Sequence, residues 1–214
     1  TTGSYNIAIG TDALQSEDGD GRNVAIGYQA LYAQNAGADA YNVAIGYDAG
    51  VSVTTGIKNT IIGGLAGDAL TTGEGSTAVG YAALSTETSG GKNTAIGARS
   101  QEDVNNSGNG NNTSVGFESM LNATTAIGST AIGSSSMAGV MTGDFNTAVG
   151  YLSGLAITSG ASNVAVGSSS LNSNTVGHDN IAIGKDALEL NVNGSASIAI
   201  GSLALEDQAP TSTG

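Results

Sequence analysis

The sequence predicts an all-β fold, a parallel β-roll (β-solenoid) of about twelve coils with a 17-residue repeat, running as a single domain over residues 1–214. Three observations carry that expectation. The string Ala-Ile-Gly, or a close variant, ends in a glycine twelve times, at Gly10, Gly27, Gly46, Gly63, Gly80, Gly97, Gly116, Gly133, Gly150, Gly167, Gly184 and Gly201, and the gaps are 17 residues except for two of 19. Apolar residues fall in short stretches where branched and small side chains alternate, and no 3.6-residue stripe persists, so stacked helices do not fit. With 34 Gly, one Pro, no Trp and no Gly-X-Y period, the composition excludes collagen and argues against a wide globular core. Residues 124–133 offer both Gly128 and Gly133, and only Gly133 keeps gaps of 17 on both sides.

Each coil builds up by column, with the motif glycine as position 0. Position −1 is always Ile or Val, and position −2 is Ala except at Ile61 and Ser114. Position −3 is Ile or Val in the terminal coils and Thr in six consecutive ones, Thr60, Thr77, Thr94, Thr113, Thr130 and Thr147. These residues form a short strand with two unlike faces. The branched −1 row is expected to fill a narrow interior, and the small Ala/Gly row to face a companion chain. An apolar column at +4 (Leu14, Leu31, Leu84, Leu171, Leu188, Leu205) supplies the opposing wall as a second short strand. It is joined intermittently at +7 by Val53, Leu70, Val104, Val140 and Ile157. A Gly-containing turn then returns the chain to the next coil.

Position −4 is Asn in nine coils, at Asn6, Asn23, Asn42, Asn59, Asn93, Asn112, Asn146, Asn163 and Asn180, and Ser in the other three. The asparagines are read as a structural ladder, bonding to one another and to turn backbone. Stacking at about 4.8 Å per rung gives a rod of roughly 55–60 Å. A lone coil buries too few aliphatic groups to offset the entropy of ordering its backbone, so a further surface buried between chains is expected.

The net charge of −13, from 18 acidic and 5 basic residues, argues against nucleic-acid binding and against attachment to an anionic membrane. Without cysteine there is neither a disulfide framework nor a thiolate metal site. No run reaches the roughly 18 apolar residues of a membrane span, so no membrane insertion is expected of this segment. The chain begins Thr-Thr-Gly, without a signal peptide, and is read as a segment of a longer protein.

The string Asn-x-Ala-Ile-Gly, as in Asn23-Val24-Ala25-Ile26-Gly27 and Asn180-Ile181-Ala182-Ile183-Gly184, resembles the YadA-like head repeats of trimeric autotransporter adhesins. With Tyr and Ala-Leu following, as in Gly27-Tyr28-Gln29-Ala30-Leu31 and Gly80-Tyr81-Ala82-Ala83-Leu84, it is also similar to repeats of phage tail fibres. The resemblance implies a left-handed roll, a homotrimer about a common axis, and adhesion without catalysis. It also implies an extracellular place, on a virion tail fibre or a bacterial cell surface, and a host cell-surface glycan or protein as partner. The coil departs from the shorter adhesin coil in length, and Thr replaces Val at −3 in the middle coils.

The expected function is therefore a non-enzymatic fibre segment that spaces or presents a receptor-binding surface, in a phage tail fibre or, alternatively, an adhesin head. The Thr column motivates an ice-binding solenoid as a further alternative, and intersubunit carboxylates a polysaccharide-degrading tailspike. No catalytic residue, metal ligand or cofactor is nominated. Candidate receptor or glycan contacts are the aromatic row at +1, Tyr28, Tyr47, Tyr81, Phe117 and Tyr151, whose rings could stack on sugars. The two 19-residue gaps place longer turns around Ala33–Tyr41 and Asp103–Asn111, projecting from one edge. Glu17–Gly21 is read as a solvated acidic turn, and His178 beside Asp179 as a turn pair with no Ser marked to complete a triad.

Overall fold

The computed structural model describes residues 4–19, 21–106 and 108–207. The chain divides into two compact units, Thr1–Asn111 and Asn112–Gly214, with the boundary directly after the second long turn. Each unit is all-β. The first holds β1 (Ile7–Ile9), β2 (Val24–Ile26), β3 (Val43–Ile45), β4 (Thr60–Ile62), β5 (Thr77–Val79) and β6 (Thr94–Ile96). The second holds β7 (Thr113–Val115), β8 (Thr130–Ile132), β9 (Thr147–Val149), β10 (Val164–Val166), β11 (Ile181–Ile183) and β12 (Ile198–Ile200). Within each unit, successive strands pair in parallel and column on column: Ile7 faces Val24, Ala44 faces Ile61, and Thr130 faces Thr147. Each motif is thus one rung of a parallel β-solenoid with a 17-residue repeat.

The faces of the rung are the reverse of those expected. Ala25, Ala44 and Ala148 at −2 are 0% exposed, whereas Ile9, Ile96 and Ile132 at −1 point outward. The reason is parity. Side chains alternate across a strand, so Ala at −2 shares its face with Asn at −4, and the asparagines occupy the interior from Asn23 to Asn180. With the interior already holding Asn and the +4 leucines, only a methyl fits at −2. The branched residues at −3 and −1 must then lie outside.

The second wall also differs: it is a stacked ribbon of turns, not a strand. Positions +2 and +4 take positive φ in every coil, as at Gln29 (51°) and Leu31 (50°), and so does −5, as at Arg22 (51°). This left-handed backbone cannot extend into a strand. The ribbon is still laddered, since Gln29 N donates to Thr11 O at 3.0 Å and Leu31 N to Ala49 O at 3.1 Å.

The core lies between the −2 column and the buried +4 and +7 side chains. Coils 3 and 4 carry Gly50 and Gly67 at +4, and Ile61, the one branched residue at −2, fills the room they leave: its Cδ1 lies 2.9 Å from where a Gly50 Cβ would sit. In coil 8 the turn slips by one residue, so Val140 is exposed and Met141 takes the buried place expected of it.

The asparagines tie consecutive rungs together. Asn163 Oδ1 accepts from Asn180 N at 3.0 Å, and Asn163 Nδ2 donates to Gly177 O at 2.9 Å. Asn42 and Asn59 make the same pair of contacts. Where Ser replaces Asn, its hydroxyl keeps the acceptor role, as Ser129 Oγ does for Asn146 N.

Each 19-residue coil follows a coil with glutamate at +7. Glu17 precedes the first and Glu87 the second. Both are buried, which corrects the solvated reading of Glu17. Glu17 accepts from Gly19 N and Asn23 Nδ2, while Asp20 of the same turn lies outside the described residues. Glu87 accepts from Gly90 N at 2.7 Å and, within the second long turn, from Asn106 N at 3.0 Å. A carboxylate supplies enough lone pairs to end the orphaned N–H groups of a lengthened turn.

Candidate interaction surface

Because −3 and −1 point outward, each unit carries an in-register strip of branched side chains. In the first unit its central pairs are Val43/Ile45, Thr60/Ile62 and Thr77/Val79, and in the second Thr130/Ile132, Thr147/Val149 and Val164/Val166, none of them fully buried. Singly exposed aliphatics are ordinary on protein surfaces, but a row repeated on every rung is not.

Two further columns border this strip. At +1, the aromatic row stands exposed. Tyr28 and Tyr47 are brought together as a stacked pair, with centroids 5.3 Å apart and planes 12° from parallel. Tyr81 follows two rungs after Tyr47, with Gly64 between. Phe117 and Tyr151 belong to the second unit, separated by the rung of Ser134. The negative charge of Asp48 holds the Tyr47 phenol above its usual range, with burial adding to the effect.

The −5 border was not anticipated. In the first unit it carries Tyr5, Arg22, Tyr41, Lys58 and Lys92, so three of the chain's five basic residues share one column. The Arg22 guanidinium lies 5.2 Å from the Tyr5 ring centroid and 5.6 Å from that of Tyr41. It also pairs with Asp39 and donates to Tyr41 Oη at 3.0 Å. Asp39 and Tyr41 come from the first long turn, which thereby closes over Arg22. Counting the basic residues by column would have found this border.

A threonine ladder at +8 was likewise missed. Thr54 Oγ1 donates to Thr71 O, and Thr71 Oγ1 to Thr88 O at 2.7 Å. Thr158 and Thr175 repeat the contact in the second unit. These hydroxyls are engaged with backbone, unlike the outward Thr column at −3.

His178 Nδ1 lies 2.8 Å from Asp179 Oδ2 with both side chains well exposed, and the nearby Ser195 Oγ accepts from the His178 backbone N–H, not from the ring. No three His, Cys, Asp or Glu side chains converge to hold a metal, and no helix is long and apolar enough to cross a membrane, among the described residues. The Asp68 carboxyl is held above its usual range, by burial first and then by the charges of Asp48 and Glu102. Compared with protein-family models, curated proteins and solved structures, the chain finds no match.

Proposed function

We propose that the chain is a structural and adhesive fibre segment without catalytic activity, in which three copies associate through the outward −3/−1 strips. One observation supports this above the others: branched aliphatics occupy the outer face of every rung, and a second copy of the same chain offers a strip with the same repeat. Burying such a strip supplies the surface that a narrow, alanine-lined interior lacks. The aromatic and −5 borders would remain at the rims of the association, where a fibre presents groups to a surface glycan or protein. A phage tail fibre is the first reading of the parent assembly and a bacterial adhesin head the second, both extracellular. Static light scattering on the purified chain tests the association: three times the chain mass of 20.8 kDa is expected, and a stable monomer at micromolar concentration would refute it.

A second reading has its own observation. Thr60, Thr77 and Thr94 stand in register on the outer face of the first unit, and an outward threonine array is what an ice-binding surface uses. Thermal hysteresis of the dilute protein favours that reading, and its absence removes it.

A further inference from the structure

Between Tyr47 and Tyr81 the aromatic column at +1 is interrupted by a single rung, and that rung carries a glycine. Tyr28 and Tyr47 show that the column holds rings face to face at rung spacing, 5.3 Å apart. The next rung carries Gly64, which has no ring, and the one after carries Tyr81. A Cβ at Gly64 would meet nothing nearer than the Tyr47 carbonyl oxygen and Tyr81 Cδ2, each at 3.9 Å. Tyr47 and Tyr81 are two rungs apart, roughly 10 Å along the stack, and the rung between them carries no ring. Both tyrosines are 58% exposed.

We propose that the slot formed by Tyr47, Gly64 and Tyr81 is a saccharide subsite that takes one uncharged sugar ring between the two tyrosines. The C–H faces of a pyranose suit an aromatic wall on either side. The net charge of −13 disfavours a uronic or sialic acid in the same place. The inference rests on the adhesive role proposed above and names the ligand class of its aromatic border. It does not depend on how many chains associate.

Titration of the full chain with chitotetraose, cellotetraose and maltotetraose, followed by the proton resonances of the tyrosine rings, tests it. Tetragalacturonate serves as the acidic counterpart. At least one uncharged tetramer is expected to shift Tyr47 and Tyr81 saturably, and the acid is not. Gly64→Tyr fills the slot at a position with room for a side chain, and Tyr81→Ala removes one wall. Each is expected to weaken binding by roughly tenfold or more, with circular dichroism and light-scattering mass unchanged. Unaltered affinity in Gly64→Tyr, equal binding of tetragalacturonate, or no saturable shift with any of the three uncharged tetramers overturns the proposal. Mass read on the same samples separates this from the fibre reading: a trimer that binds no sugar defeats only the slot.

Discussion

Gly150→Ala tests the rung geometry at a single atom. Gly150 has φ of +139°, and an added Cβ would sit 2.5 Å from the carbonyl oxygen of Gly167, 2.6 Å from its carbon and 3.1 Å from Ser168 N. All three are backbone atoms of the next rung, so no side chain can swing away. Holding a non-glycine residue in such a conformation costs about 1–3 kcal/mol. Forcing the rungs apart to admit the methyl adds about 1–3 kcal/mol, as overpacking does elsewhere. The sum, about 2–6 kcal/mol, is a large share of the stability of an ordinary domain. In a solenoid, where each rung contacts only its neighbours, the damage should centre on β9 and β10. Urea unfolding read by circular dichroism gives the loss, and amide exchange locates it. Gly64→Ala is the matched control, since its Cβ meets only ordinary contacts at 3.9 Å, and it should be neutral or gain up to about 1 kcal/mol. If Gly150→Ala unfolds within 0.5 kcal/mol of the parent, roughly the scatter of neutral surface changes, the stacked-glycine geometry is refuted.

The other predictions follow from the same contacts. Asn163→Ala strands Asn180 N and Gly177 O inside the roll and should cost about 2–4 kcal/mol, whereas Asn163→Ser should cost less because Ser76 and Ser129 already serve in that column; equal losses in urea melts would contradict this. Glu87→Leu leaves Gly90 N and Asn106 N without acceptors, so their amide exchange should accelerate at least tenfold, about 1.4 kcal/mol of lost protection, while that of the Asn42 amide stays unchanged. The raised pKa of Asp68 means that the folded chain binds this proton more tightly than the unfolded chain. Its contribution therefore favours folding at low pH and is lost as pH climbs from the ordinary Asp range through the raised value. Asp68→Asn should flatten the melting temperature over that window and raise it at neutral pH, and an unchanged pH profile would count against the assignment.

Much of this architecture was legible as spacing. The glycine period gave one rung per motif, and the nine asparagines marked the column that is in fact buried and laddered. What spacing could not fix was the side of the strand that faces inward, because branched −3/−1 and small −2/0 rows each make a plausible interior. The deciding signal was present: a column of Asn at −4 shares parity with Ala at −2. The turns resisted prediction for a different reason. Leu31, Arg22 and Gln29 adopt left-handed backbone, although none has local chemistry that favours it, so the conformation is imposed by stacking between rungs. Ile61 at −2 looked like an exception until Gly50 and Gly67 showed the space it fills. Of the candidate contacts, the tyrosines at 28 and 47 were legible as a row but not as a stack, and the Arg22 cluster required the fold of the first long turn.

Cysteine placement examines the inverted rung most directly, since the chain has no cysteine of its own. Ala131→Cys and Ile132→Cys differ by one position, and the β8 residues they replace are 0% and 41% exposed in the single chain. Under native oxidation, the second variant should yield chains joined by disulfides on a denaturing gel, and the first should yield none and resist thiol reagents until unfolded. Cross-linking through position 131, with position 132 shielded and unreactive, would put the aliphatics back inside and contradict the account.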